Sequence, residues 1–263
     1  MTAMWVALAA TGLFTGALTG FSGGSVFVVV VPFLTQVWHL PLRIAIGSSL
    51  GVDVVTSLLV AWGYAKSGAV RLRQAWPLFA GALAGPQLGA LLSHAVSGLW
   101  LTTLFVAVLV LMGINFLQHG IRNIPLMPQF SGDSAPGERA GQGLWRILAV
   151  TGIGLGVGTV TGLIGASGGV LYLFALIYGL RMPLRPAVGT AILIMAVSAL
   201  SGAAAYIARA EIAWTPMLAI GALSMLSGYL MARYVQKIPE RVQAAVMGVI
   251  LLGAALWMLP PLL

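Results

Sequence analysis

Gly20-Phe21-Ser22-Gly23-Gly24 and Gly165-Ala166-Ser167-Gly168-Gly169 are one short phrase written twice. An apolar run follows each, and then a second shared phrase. It reads Pro41-Leu42-Arg43-Ile44-Ala45-Ile46-Gly47-Ser48 in the first half and Pro183-Leu184-Arg185-Pro186-Ala187-Val188-Gly189-Thr190 in the second. The first phrase recurs after 145 positions, from Ser22 to Ser167, and the second after 142, from Arg43 to Arg185. A doubled hydrophobic unit broken by glycine is how many membrane transporters build a site between two halves.

Composition leaves room for little else. Of 263 residues 60% are apolar and only 7% charged, with mean hydropathy +1.02. A soluble domain carries about 25% charged residues, so most of this chain must lie in lipid. The net charge of +8 comes from basic residues scattered singly between apolar runs, not from a stripe that nucleic acid could use. With no cysteine, disulfides and thiolate metal sites are excluded. His39, His94 and His119 lie too far apart in sequence to suggest a metal site, and no cofactor is expected. Nor is a cleaved leader, since Met1-Thr2-Ala3-Met4-Trp5 has no basic start.

Apolar stretches fall at about 4–20, 26–38, 44–65, 75–93 and 98–118, and again at about 144–164, 170–180, 186–208, 215–233 and 242–260. The polar interval Gly120–Gly143 separates the two sets. The sequence therefore predicts an all-α polytopic membrane protein with 8–10 membrane segments. Residues 1–119 form an N-terminal repeat, 120–143 a cytoplasmic linker and 144–263 a C-terminal repeat. The last three stretches of each half are long enough to cross a hydrocarbon core of about 30 Å. The second stretch is not, at about 20 Å. With the first it forms a glycine-broken short helix pair, either crossing thinly and tilted or re-entrant, that returns the chain to its starting side.

Charge tests that return. With it, eleven of the thirteen basic residues fall on one side, leaving only Arg43 and Arg209 opposite. If the pair crossed once, the division would be seven to six. The positive-inside rule selects the return, with the linker in the cytoplasm, both chain ends outside and the two halves inverted.

Glycine-serine turns just before an apolar helix can aim free backbone N–H groups, backed by the positive end of a helix dipole, at an anion. The residues expected around such a solute are Ser22, Gly23, Gly24 and Ser25 in the first half and Ser167, Gly168 and Gly169 in the second. Ser48 and Thr190 extend the lining one turn deeper. Arg43 and Arg185 either anchor the chain at the interface or draw anions to the entrances. Spaced glycines at 12, 16 and 20 and at 81, 85 and 89 read as helix-packing stripes. Tyr64 and Tyr206, matched at the 142 offset, are expected in an interfacial aromatic belt.

Asp53 is the one acid well inside an expected span, and its counterpart is Met195. Such a carboxylate must be neutral, paired or wet. Proton coupling and pairing with a nearby donor are both open to it. Gly20-x-Ser22-Gly23 and Gly165-x-Ser167-Gly168 also fit the Gly-x-Ser-Gly pattern of rhomboid intramembrane proteases, but no histidine follows Ser167. A serine nucleophile needs a base within hydrogen-bond reach, so no enzyme is expected.

Across nearly its whole length the chain resembles the TauE/SafE sulfite exporter family. The doubled glycine-rich turns and the Pro-x-Arg-x-Ala-x-Gly-Ser/Thr phrases carry the likeness, more closely in Gly165–Thr190 than in the first copy. There Ser25, Phe27 and Gly47-Ser48 depart from the usual choices. The resemblance implies an exporter of sulfite or a small organosulfonate such as sulfoacetate in the inner (plasma) membrane of a bacterium or archaeon. The anion would bind at Ser22, Gly23, Gly24, Ser167, Gly168 and Gly169 by alternating access. The alternative within transport is an importer or channel-like permease for another small anion. No nucleotide-binding Gly-x-x-x-x-Gly-Lys-Ser/Thr phrase is present.

Overall fold

Among the described residues the helices fall into two runs of five, matched start for start. A computed structural model describes residues 2–22, 25–66, 68, 70–122, 144–180, 182, 184–234 and 240–259. In the first run α1 is Thr2–Ser22, α2 Phe27–Gln36, α3 Leu42–Lys66, α4 Leu72–Ala95 and α5 Gly98–Arg122. In the second, α6 is Leu144–Ile164, and α7, Gly169–Phe174, runs on through a π-helical turn, Ala175–Gly179. Then come α8 Leu184–Ile207, α9 Trp214–Tyr234 and α10 Glu240–Trp257. Every helix of the second run begins 142 residues after its counterpart: Thr2 with Leu144, Phe27 with Gly169, Leu42 with Leu184, Leu72 with Trp214, Gly98 with Glu240.

Runs of Ala, Leu, Val and Ile carry the helices, and Gly-Ser or proline phrases break them where the sequence says they should. Among the described residues six segments are long and apolar enough to cross a membrane: Leu42–Trp62, Leu72–Ala95, Gly98–Arg122, Ile147–Ile164, Pro186–Ile207 and Trp214–Met231. The chain is thus an all-helical, multi-pass membrane protein. Two details differ from the sequence reading. α6, and α1 at the same 21 residues, are full-length helices, so only α2 and α7 are short. α5 also continues through Arg122, into the interval assigned to the linker; the rest of that interval lies outside the described residues.

Helix directions follow from which residues meet. Along α9, the sites where Gly12 and Gly16 would carry a Cβ meet Ile220–Leu223 and then Ser224–Ser227. Beside the same helix Gly47 meets Glu211, just before α9 begins, Gly51 meets Met217, and Thr56 Oγ1 lies 2.9 Å from Ser224 Oγ. α1 and α3 therefore both run in the direction of α9. They start at one face, and α2, about 15 Å long, carries the chain back between them. In the second half α6 runs along α4, with Gly81 against Thr151 and Gly89 against Thr159. Between counterpart helices of the two halves the sense is opposite. α3 and its counterpart α8 are antiparallel, Gly47 against Tyr206 and Gly202 against Leu50, and so are α5 and α10, Gly113 against Leu252 and Gly120 against Ala245.

The glycine stripes are packing devices. A Cβ on Gly81, Gly85 or Gly89 would lie 2.2, 2.4 or 2.1 Å from a backbone carbonyl oxygen of α6. Gly16 would meet the Ser224 carbonyl at 2.1 Å. In lipid, where helix association gains little from hydrophobicity, backbone-on-backbone contact of this kind holds helices together. Apolar side chains fill the space around the two short helices, with Val30, Val31 and Leu34 of α2, Tyr172 of α7 and Leu176 of the π-helical turn fully buried.

Candidate functional site

The two bends meet. In the second half the bend is Gly165–Gly168, where Gly165 and Gly168 have φ of +76° and +67°. Only glycine takes these values without strain. In the first half Ser25 and Val26 lead into α2, with Val26 in the right-handed region at φ −68°. The Ser167 N–H donates to Ser25 Oγ at 3.2 Å, joining the two halves directly. Ser25 Oγ donates in turn to Asp53 Oδ2 at 2.5 Å, and the Val26 N–H donates to Oδ1 at 3.0 Å.

Asp53 thus sits on the start of α2, where a carboxylate satisfies the orphan amide of the helix and meets its positive end. It is fully buried, and Ser57 Oγ donates to its backbone carbonyl. Of the two sequence expectations for Asp53, pairing with a nearby donor is present in the geometry. Ser167 is also fully buried and faces the same carboxylate, yet its Oγ has no aligned hydrogen-bond partner among the described residues. The amides of Gly168 and Gly169 likewise have no partner there.

Helix starts set the register of the bends. Sliding the first half by 142 places Ser25, not Ser22, on Ser167, and Gly23 on Gly165. The repeated phrase is therefore Gly20-x-x-Gly23-Gly24-Ser25 and Gly162-x-x-Gly165-Ala166-Ser167, three residues away from the text match. Ser22 ends α1, and its side chain lies outside the described set, as do residues Gly23 and Gly24.

A cavity of about 60 Å³ adjoins the junction. A single water needs on the order of 10–15 Å³ of such space, so a solute of a few heavy atoms fits. Its polar border is Ser25, Gly168 and Gly169, and Met112 of α5 and Met247 of α10 stand in its apolar wall.

Three of the other expected site residues have hydrogen bonds at helix ends. Ser48 Oγ accepts the Ala213 N–H at 2.9 Å, just before α9. Thr190 Oγ1 accepts the Arg71 N–H at 3.0 Å, just before α4. These are one contact made twice, since 48 and 190, like 71 and 213, differ by 142. Each hydroxyl caps a helix in the opposite half, and both residues are fully buried. Arg43 donates from Nε to the Ser93 carbonyl (3.1 Å) and from Nη2 to the Val96 carbonyl (3.0 Å), closing the C-terminal end of α4. Arg185 lies in the first turn of α8, and its side chain lies outside the described set.

Tyr206 is not an interfacial belt residue. It is fully buried at the α3–α4–α6 junction, where its hydroxyl donates to the Gly162 carbonyl at 2.8 Å and lies 3.1 Å from Ser93 Oγ. Tyr64 lies outside the described side chains. His94 Nε2 is 2.9 Å from Glu211 Oε1, and His119 Nδ1 is 2.8 Å from the Asn115 carbonyl. Neither contact involves Ser25 or Ser167, so among the described residues neither serine has a histidine as its hydrogen-bond partner.

Known proteins give the same outline. "Probable membrane transporter protein YunE" of Bacillus subtilis (strain 168) is 24% identical over 256 residues, covering 90% of this chain and 89% of its own. "Probable membrane transporter protein YdhB" of the same organism is 24% identical over 225 residues, covering 86% and 88%. No solved structure matches. The family described as "Sulfite exporter TauE/SafE" matches residues 8–258, which take in both bends and every described helix apart from the first turns of α1. With that span covered, the chain belongs to the TauE/SafE sulfite exporter family.

Proposed function

We propose that this protein exports sulfite or a small organosulfonate such as sulfoacetate across the inner membrane, holding the anion where the two bends meet. The observation that carries this reading is the hydrogen bond between Ser167 and Ser25, which joins equivalent positions of the two halves beside a cavity of suitable size. The donors available to an anion are the Gly168 and Gly169 amides and the Ser167 hydroxyl. In the first half the same task falls to Gly23, Gly24 and Ser25, with Ser22 just before them. Ser48 and Thr190 support the site from behind by fixing helix starts, and Arg43 and Arg185 anchor the entrances.

Antiparallel packing of α3 on α8 and of α5 on α10 supports two inverted repeats, residues 1–119 and 144–263, on either side of a cytoplasmic linker at 120–143. Both chain ends then lie outside. Access would alternate by rocking one half against the other about the α3–α8 contact. Neither a cofactor nor an enzymatic step is required.

Flux into or out of proteoliposomes tests the reading. Protein-dependent movement of sulfite and sulfoacetate, exceeding that of chloride, is the expected result. Movement of chloride alone would replace it with a channel-like anion pathway, and movement of none of the three would end the anion reading.

A further inference from the structure

We propose that Asp53 carries a proton through the transport cycle, so that each anion crosses together with one proton, and that the Ser25 hydroxyl switches between them. The proposal rests on the anion site above and adds what that site must do with its own carboxylate.

Asp53 is fully buried at the junction, and its hydrogen-bond donors, Ser25 Oγ and the Val26 N–H, are neutral. No cation pairs with it among the described residues. On the elements packed against α3, α2 contributes no titratable residue, and the bend before α7 contributes only the neutral Ser167. α8 contributes Tyr206, already committed to Gly162, and Arg185 in its first turn. α9 contributes Tyr229 and, in its last turn, Arg233 and Tyr234; α4 contributes Arg73 and His94 near its two ends. On α3 itself Arg43 is committed to the end of α4, and Tyr64 and Lys66 belong to the opposite end of the helix.

An anion arriving at the bends would therefore place a second negative charge beside the first in a low dielectric, with no cation among the described residues paired to offset it. Charges of one sign at close quarters exclude each other unless one takes up a proton.

Hydrogen-bond direction shows how the site would respond. A serine hydroxyl has a single proton to give. In the geometry observed it goes to the Asp53 carboxylate, so Ser25 can offer Ser167 only a lone pair. Once Asp53 takes a proton from water, its own O–H can donate to Ser25 Oγ. The serine proton is then free to turn towards the solute, alongside the Gly168 and Gly169 amides. When the anion leaves on the far side, Asp53 releases its proton there and Ser25 returns to the carboxylate. Charge and protons balance, with one proton and one anion taken from one side and delivered to the other. Met195 occupies the equivalent position in the second half, so the cycle has one such carboxyl.

Proteoliposomes loaded with a pH indicator test this, with sulfite and sulfoacetate as probes and wild type compared with Asp53→Asn and Ser25→Ala. Taking the difference between proteins in the same probe removes any proton carried by the probe itself. Wild type is expected to move protons with the anion. Asp53→Asn is expected to lose that proton movement entirely, its anion flux becoming dependent on membrane potential. Ser25→Ala is expected to keep the proton while its apparent anion affinity falls roughly tenfold, the worth of one hydrogen bond. Anion flux in wild type with no protein-dependent proton movement, or equal proton movement in Asp53→Asn, would overturn the coupling and leave the anion site standing. Flux of neither probe in any of the three proteins would overturn both.

Discussion

Gly162→Ala is expected to destabilise the folded protein by about 3 kcal/mol or more, at the upper end of what overpacking costs. The added methyl would sit 2.1 Å from the carbonyl oxygen of Pro86, within the backbone of α4, and no side-chain rotation can relieve it. α4 and α6 would have to separate along the whole row in which Gly81, Gly85 and Gly89 face α6 backbone. Gly156 lies on the same helix with nothing within 4 Å of its added Cβ. Gly156→Ala is therefore expected to be neutral or slightly stabilising, since alanine is the better helix former. Thermal unfolding in micelles measures both. Equal midpoints for the two variants would show that the α4–α6 contact is not made as described.

Tyr206→Ala is expected to cost about 3–5 kcal/mol, the usual loss for a fully buried aromatic cut back to a methyl. Part of that loss belongs to one hydrogen bond. The Gly162 carbonyl lies near the end of α6, where helical partners run out, and the Tyr206 hydroxyl caps it from the other side of the α4–α8 contact. Tyr206→Phe keeps the ring against Gly47 and removes only the cap, so about 1–3 kcal/mol should be lost. If Phe costs as much as Ala in the same unfolding measurement, the ring packing assigned to Tyr206 is wrong.

Much of this fold can be read directly from the letters. The 142-residue offset between Pro-Leu-Arg phrases is also the offset of every helix start. The brevity of α2 and α7 follows from the length of their apolar runs. What the letters misplace is the register of the bends. Gly-x-Ser-Gly-Gly matches as text at 145, but the four residues between α1 and α2 are Gly-Gly-Ser-Val, and those between α6 and α7 are Gly-Ala-Ser-Gly. A string comparison has no view of where a helix stops. Ser22 therefore stands opposite Ile164, and Ser25 opposite Ser167.

Other contacts have no local signature, because the partners are far away in sequence. Ser48 finds Ala213 and Thr190 finds Arg71, across 165 and 119 residues. Nothing local distinguishes a hydroxyl that caps a distant helix from one that lines a solute path. Agreement at the fixed offset is a usable signal, since the two contacts map onto each other. Tyr206 looked interfacial because it lies one residue from the end of α8, but α4 and α6 cover that end. Asp53 was conspicuous for the opposite reason. A lone acid in an apolar helix needs a partner, and the start of α2 supplies two donors.

All of this depends on two half-proteins that run in opposite senses through the bilayer. Lys66 ends α3, and Arg209 follows the end of α8, its antiparallel counterpart. The chain has no native cysteine, so a single cysteine placed at 66 or at 209 is an unambiguous reporter. A membrane-impermeant thiol reagent added outside intact cells is expected to label position 209 and spare position 66. Labelling of both from the same face would contradict the inverted arrangement and, with it, the meeting of the two bends.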